Sequence, residues 1–119
     1  MEGDDRKPRT ECWLVSDGHV LASAERADDR RSRARGLLGR TGIEGALVLT
    51  KCRSVHTIGM KFPIDVAYLD PSGVVLKTAH MRRHRIGLPV WKASIVVEAE
   101  AGAFERWGLH VGDQLEVRE

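Results

Sequence analysis

Long apolar runs are missing from this 119-residue chain, and with them any helical segment able to span a membrane. The opening residues, MEGDDRKPRTE, lack the apolar core of a secretory signal, so the cytoplasm is the expected compartment. Cysteine is scarce as well. Cys12 and Cys52 are too few for a disulfide framework and are expected to be reduced thiols. Aromatic residues make up only 5% of the chain, which makes Trp13, Trp91 and Trp107 the expected core anchors or pocket walls. Acid is absent from one long stretch: between Asp70 and Glu98 there is no Asp or Glu, while Lys77, Arg82, Arg83, Arg85 and Lys92 all carry positive charge. From Glu98 onward the balance reverses, with six acidic residues against Arg106 and Arg118. These blocks either pair with each other across the fold or leave a basic loop at the surface, attractive to acidic ligands and partners.

What is present fits one soluble domain. A hydrophobic content of 42% and a charged content of 30% are those of a globular chain, and this length supports one core. Residues 1–9, with Gly3, Pro8 and mixed charge, are expected to be a disordered tail, and 10–119 a single β-rich domain. Cys12 to Val15, the turn signal Asp17-Gly18, and His19 to Ala22 predict a hairpin. Ser23 to Arg35, rich in Ala, Glu and Arg without Gly or Pro, predicts the one long helix, with Ser23 as N-cap and Gly36 as stop. Ala46–Leu49, Ile64–Leu69, Val74–Leu76, Ile95–Ala99 and Gln114–Val117 read as strands, and Phe104–Trp107 as a helical turn closed by Gly108. The expected fold class is mainly β (α+β): a compact β-sandwich or barrel with one early helix packed at one end.

Chemistry concentrates between Cys52 and Asp70, where a thiol, an imidazole, a thioether and a carboxylate interrupt an apolar, mostly extended segment. Cys52, His56 and Met60 fall on one side of an extended chain. Residues four apart on a straight strand are about 13 Å from each other, too far for Cys52 and His56 to share a metal without a bend. Cys52, His56 and Asp65 have the residue types of a nucleophile, base and orienting acid. Packing is the simpler reading: Cys52 as a small hydrophobe, His56 bonded to nearby backbone, Met60 as core filler. Asp65 and Glu98 each interrupt an apolar strand and need donors or cations. Asp65 is expected to anchor backbone N–H groups or pair with Arg33 or Arg35. A cleft lined by Arg35, Cys52, His56, Met60, Asp65 and Glu98 is the candidate ligand site, provided Asp65 and Glu98 share one face of the sheet.

Four blocks, read in order, carry a family resemblance: Arg33-Ala34-Arg35-Gly36-Leu37-Leu38-Gly39-Arg40; His56 through Asp65 with Tyr68-Leu69-Asp70; Val96 through Gly102; and Gly108-Leu109 with Val111-Gly112-Asp113. Together, from about Trp13 to Val117, they resemble the domain-of-unknown-function 192 family. The resemblance implies a small β-sandwich or barrel with a helix at one end, and it brings no catalytic residue with it. This chain departs from the commoner family pattern in having Ile58 and Gly59 ahead of Met60-Lys61, preceded by Cys52 and His56, and so resembles a cysteine- and histidine-bearing subgroup. Many members are exported, whereas this chain shows no export signal.

Three functional readings follow. The favoured one is a non-enzymatic binding or accessory module, its cleft taking a small molecule or a protein end. The alternatives are a cysteine- or metal-dependent enzyme using Cys52, His56 and Asp65, and a basic interaction module through loop 77–92. Nucleic acid is not the expected partner, since Gly87 and Pro89 mark that segment as loop and the pI of about 8.7 is modest. The residues name no cofactor and leave open whether Cys52 and His56 hold a metal.

Overall fold

The protein is described by a computed structural model for residues 10–119, so the expected tail at 1–9 lies outside the described residues. Among the described residues, seven strands and two short helices follow one another: β1 (Thr10–Ser16), β2 (His19–Ala27), α1 (Arg30–Arg35), β3 (Ala46–Thr50), β4 (Ile64–Leu69), β5 (Val75–Met81), β6 (Ile95–Glu100), α2 (Ala103–Trp107) and β7 (Leu115–Arg118). The strands form one sheet in the order β5-β4-β6-β3-β2-β1-β7, in which only β2 and β3 run parallel. The sheet is sandwich-like and is not closed into a barrel. Its two ends meet at a single corner, where Val75 donates to Asp113 O (2.8 Å) and Leu115 donates to Gly73 O (2.8 Å).

The central strands β3, β4 and β6 read as near-continuous apolar runs because they are covered on both faces. One face carries Val48, Ala67, Leu69, Val97 and Ala99, packed with Leu14, Phe104 and Leu115. The other carries Leu47, Leu49, Val66, Tyr68 and Val96, covered by Leu37, Ile43, Val55 and Met60 from the connecting segments. Strand parity therefore decides which core each side chain enters.

The hairpin forms at Asp17-Gly18, both with positive φ (51° and 78°), the signature of a tight two-residue turn. The long helix does not form. Ser23–Ala27 continues β2, pairing with β1 on one side and β3 on the other, and only Arg30–Arg35 is helical. Helix propensity in Ala, Glu and Arg is worth tenths of a kcal/mol per residue, about the size that two flanking ladders override. Asp29, not Ser23, is the N-cap, accepting from Ser32 N at 2.8 Å, while Gly36 is the stop as expected. No residue of α1 is buried; the helix that packs is α2, through Ala103 and Phe104. Trp13 and Trp91 are 51% and 75% exposed, so of the three tryptophans only Trp107 packs against a core cluster.

Candidate functional site

A cavity of about 160 Å³ opens between the C-terminal end of α1 and the segment 52–60. Arg33, Arg35 and Gly36 form one wall, Cys52, Ser54, His56 and Met60 the other, and Leu49 with Glu98 the floor. Segment 52–60 is irregular, with His56 in an isolated bridge to Ile86, so the expected extended strand is replaced by a chain that bends. Thr57 holds this bend. Fully buried, it donates from Oγ1 to Arg82 O (2.5 Å) and accepts from Arg85 N (2.8 Å), and its own carbonyl accepts from His84 N (2.9 Å). Its place beside His56, at the start of the His56–Asp65 block, was the available signal, but sequence reasoning passed over it.

Five of the six candidate residues, Arg35, Cys52, His56, Met60 and Glu98, line this cavity. Asp65 does not. In the β4–β6 register Val66 faces Glu98 and Asp65 faces Ala99, which puts the two carboxylates on opposite faces of the sheet. On its own face Asp65 Oδ2 accepts from Gly102 N (3.0 Å) and Phe104 N (3.1 Å), and Oδ1 lies 3.3 Å from His80 Nδ1. It anchors the start of α2 and pairs with neither Arg33 nor Arg35. A Cys52–His56–Asp65 constellation is therefore not assembled. Among the described residues no three His, Cys, Asp or Glu side chains gather to hold a metal ion.

Glu98 is the buried carboxylate among the residues that line the cavity. It is 6% exposed, between the fully buried Leu47 and Val66, and a Cβ added at Gly36 would lie 3.9 Å from its Oε1. Cys52 donates its thiol to Ser54 O at 3.2 Å. Burial pushes that thiol above the ordinary 9.0, the hydrogen bond to Ser54 opposes this, and the negative field of Glu98 adds to the rise, partly offset by Arg33. Such a thiol is a poor nucleophile at neutral pH. We expect iodoacetamide to alkylate native Cys52 more slowly than unfolded chain at pH 7, with a rate still climbing past pH 9.0; a plateau below that value in mass-spectrometric labelling would contradict this. The linkage has a definite sign. A thiol raised on folding stabilises the native state fully below its unfolded pKa, and that contribution is lost as pH rises through the folded value.

Two solved structures share this fold at low sequence identity. A protein from Sinorhizobium meliloti 1021, described as a "putative transcription regulator", superposes with a TM-score of 0.79 at 19% identity, covering 94% of this chain and 97% of that one. A protein of unknown function from Novosphingobium aromaticivorans DSM 12444 superposes with a TM-score of 0.72 at 18% identity, covering 91% of this chain and 84% of the other. At these identities the likeness is one of fold. No curated protein matches the chain. Residues 13–117 match the family described as Uncharacterized ACR, nearly the whole chain, and the protein belongs to the domain-of-unknown-function 192 (DUF192) family.

Proposed function

We propose that this protein is a non-enzymatic binding module whose cavity, bounded by α1 and segment 52–60, receives one small zwitterionic group, such as a free amino acid or a peptide end. The observation that carries the reading is the stacking of charge within about 160 Å³: the Glu98 carboxylate on the floor, Arg35 at the exposed mouth. A carboxylate offers several acceptor positions, so Glu98 can take an ammonium while Arg35 takes a carboxylate. The volume is below the roughly 300 Å³ at which drug-sized and cofactor sites begin. The raised, hydrogen-bonded thiol of Cys52 and the displacement of Asp65 to the other face weigh against the cysteine-enzyme alternative. Two unbonded cysteines fit a reducing compartment, so we place the module in the cytoplasm. Among the described residues no helix is long and apolar enough to cross a membrane.

Titration of the ¹⁵N-labelled protein with L-alanyl-L-alanine tests this. Amide shifts should concentrate at Gly36, Cys52 and His56, with a dissociation constant on the order of 1 mM for a ligand of this size. Arg35→Gln should weaken binding roughly tenfold through loss of a charge-assisted pair, while Cys52→Ser binds normally. Absence of shifts at those amides, or loss of binding on Cys52→Ser alone, would remove the reading.

A further inference from the structure

A second depression lies on the far side of Tyr68, outside the cavity above, and neither the family nor the proposed function accounts for it. Its walls are β5 and the turn through Gly87, it encloses about 390 Å³, and it falls within the usual range of about 300–1,000 Å³ for small-molecule sites. Tyr68, Lys77, Ala79 and Met81 share one sheet face by register, and Arg82, Arg85, Ile86 and Leu88 close the opposite side.

Three observations about this groove converge. Tyr68 is 2% exposed, its hydroxyl would lie 3.1 Å from a Cβ at Gly87, and it makes no hydrogen bond among the described residues. A buried hydroxyl without a partner is costly, and here it faces the groove that Gly87 also lines. Lys77, Arg82 and Arg85 have no acidic partner among the described residues, because the ion pairs there join other groups. The basic block 77–92 therefore does not pair with the acidic block after Glu98. Ile86 and Leu88 are 75% and 78% exposed beside these cations, an apolar surface that water alone covers poorly.

We propose that this groove binds an amphipathic anion: one oxyanion head, carboxylate or phosphate, carried on a short apolar chain. Arg82, Arg85 and Lys77 neutralise the head, the Tyr68 hydroxyl donates to it, and the chain lies against Met81, Ile86 and Leu88. The guanidinium and ammonium groups only donate and carry positive charge, and the phenol can turn its O–H toward the same head, so the recognition favours an anionic acceptor. The same apolar chain bearing an alcohol or an amine lacks either the charge or the acceptor and is excluded. Gly87 keeps the floor open, since a methyl there would press on the hydroxyl and on Val55 O.

Titrations with octanoate, octyl phosphate, octanol and octylamine decide the matter, read from amide shifts at Ala79, Met81, Gly87 and Leu88. Octanoate or octyl phosphate should bind with a dissociation constant on the order of 1 mM or tighter, and the tighter of the two identifies the head. Tyr68→Phe should weaken binding roughly tenfold or more, the size of one hydrogen bond to a charged acceptor. Arg82→Gln, at an exposed position that does not endanger folding, should weaken it roughly tenfold. Equal shifts with octanol overturn the anion assignment, and undiminished binding in both variants overturns the site. Shifts at these amides from a single-stranded oligonucleotide but from neither octyl anion would also overturn it, in favour of nucleic acid.

Discussion

Asp65→Ala should lower stability by about 2–4 kcal/mol, the combined cost of losing charged hydrogen bonds and stranding buried N–H groups. The reason lies in how α2 begins. Its N-cap residue is Gly102, at φ 92°, which has no side chain to offer the first free N–H groups of the helix. Asp65 supplies that cap from the neighbouring strand, accepting from Gly102 N and Phe104 N through one carboxylate oxygen. The helix it holds carries Ala103 and Phe104 into the core face shared with Val97 and Leu115. Removal of the carboxylate therefore loosens α2 and uncovers part of that face. Asp65→Asn retains an acceptor oxygen and should cost less, about 1 kcal/mol. Urea unfolding of both variants measures this, with hydrogen exchange at Gly102 and Phe104 as the local readout. Equal costs for Ala and Asn, or unchanged protection of the Phe104 amide, would show that the cap is not the source. Because Asp65 lies on the opposite face from Glu98, ligand binding in the cavity should survive in whichever variant stays folded.

The same residue shows where a sequence stops being legible. That Asp65 needed backbone donors followed from a carboxylate inside Ile64–Leu69, a local fact. That it could not share a cleft with Glu98 depended on the register of β4 against β6, a fact about strands some thirty positions apart that period-two reasoning within either strand does not contain. Turn chemistry is local, and the Asp17-Gly18 hairpin and the Gly36 and Gly108 stops were readable for that reason. Ser23–Ala27 was misread because its composition favours helix while its neighbours in space, β1 and β3, dictate strand. Cys52, His56, Met60, Arg35 and Glu98 converge because segment 52–60 folds back under Thr57, whose bonds run to Arg82 and Arg85 far along the chain. Tryptophan scarcity suggested core positions, yet Trp13 stands on a β-strand beside the short strand β7, and Trp91 on a loop, both open to solvent.

Gly73→Ala should lower stability by about 3–5 kcal/mol, combining a strained backbone with a clash against main-chain atoms. Gly73 has φ 91°, a region that L side chains rarely adopt, and an added Cβ would collide with the carbonyl oxygen of Leu115. That carbonyl belongs to the corner where the two ends of the sheet meet. Gly73 O accepts from Leu115 N, Val75 N donates to Asp113 O, and Gly112 N donates to Val75 O, each at 2.8 Å. Asp70 prepares the turn by accepting from Ser72 N and Val74 N through its side chain. A methyl at 73 must push β7 away or twist the turn, and either movement breaks these bonds at once. Gly18→Ala separates the two contributions. Gly18 has φ 78° but nothing within 4 Å of an added Cβ, so it carries backbone strain without the clash and should cost about 1 kcal/mol. In a domain of this size the two variants should differ in Tm by roughly 10 °C. Hydrogen exchange should show protection lost at Val75, Gly112 and Leu115 in Gly73→Ala while β3, β4 and β6 keep theirs. If the two alanine variants melt together, positive φ alone sets the cost and the corner contributes nothing; if β3 and β6 lose protection along with β7, the corner is part of the global folding unit and not a local latch.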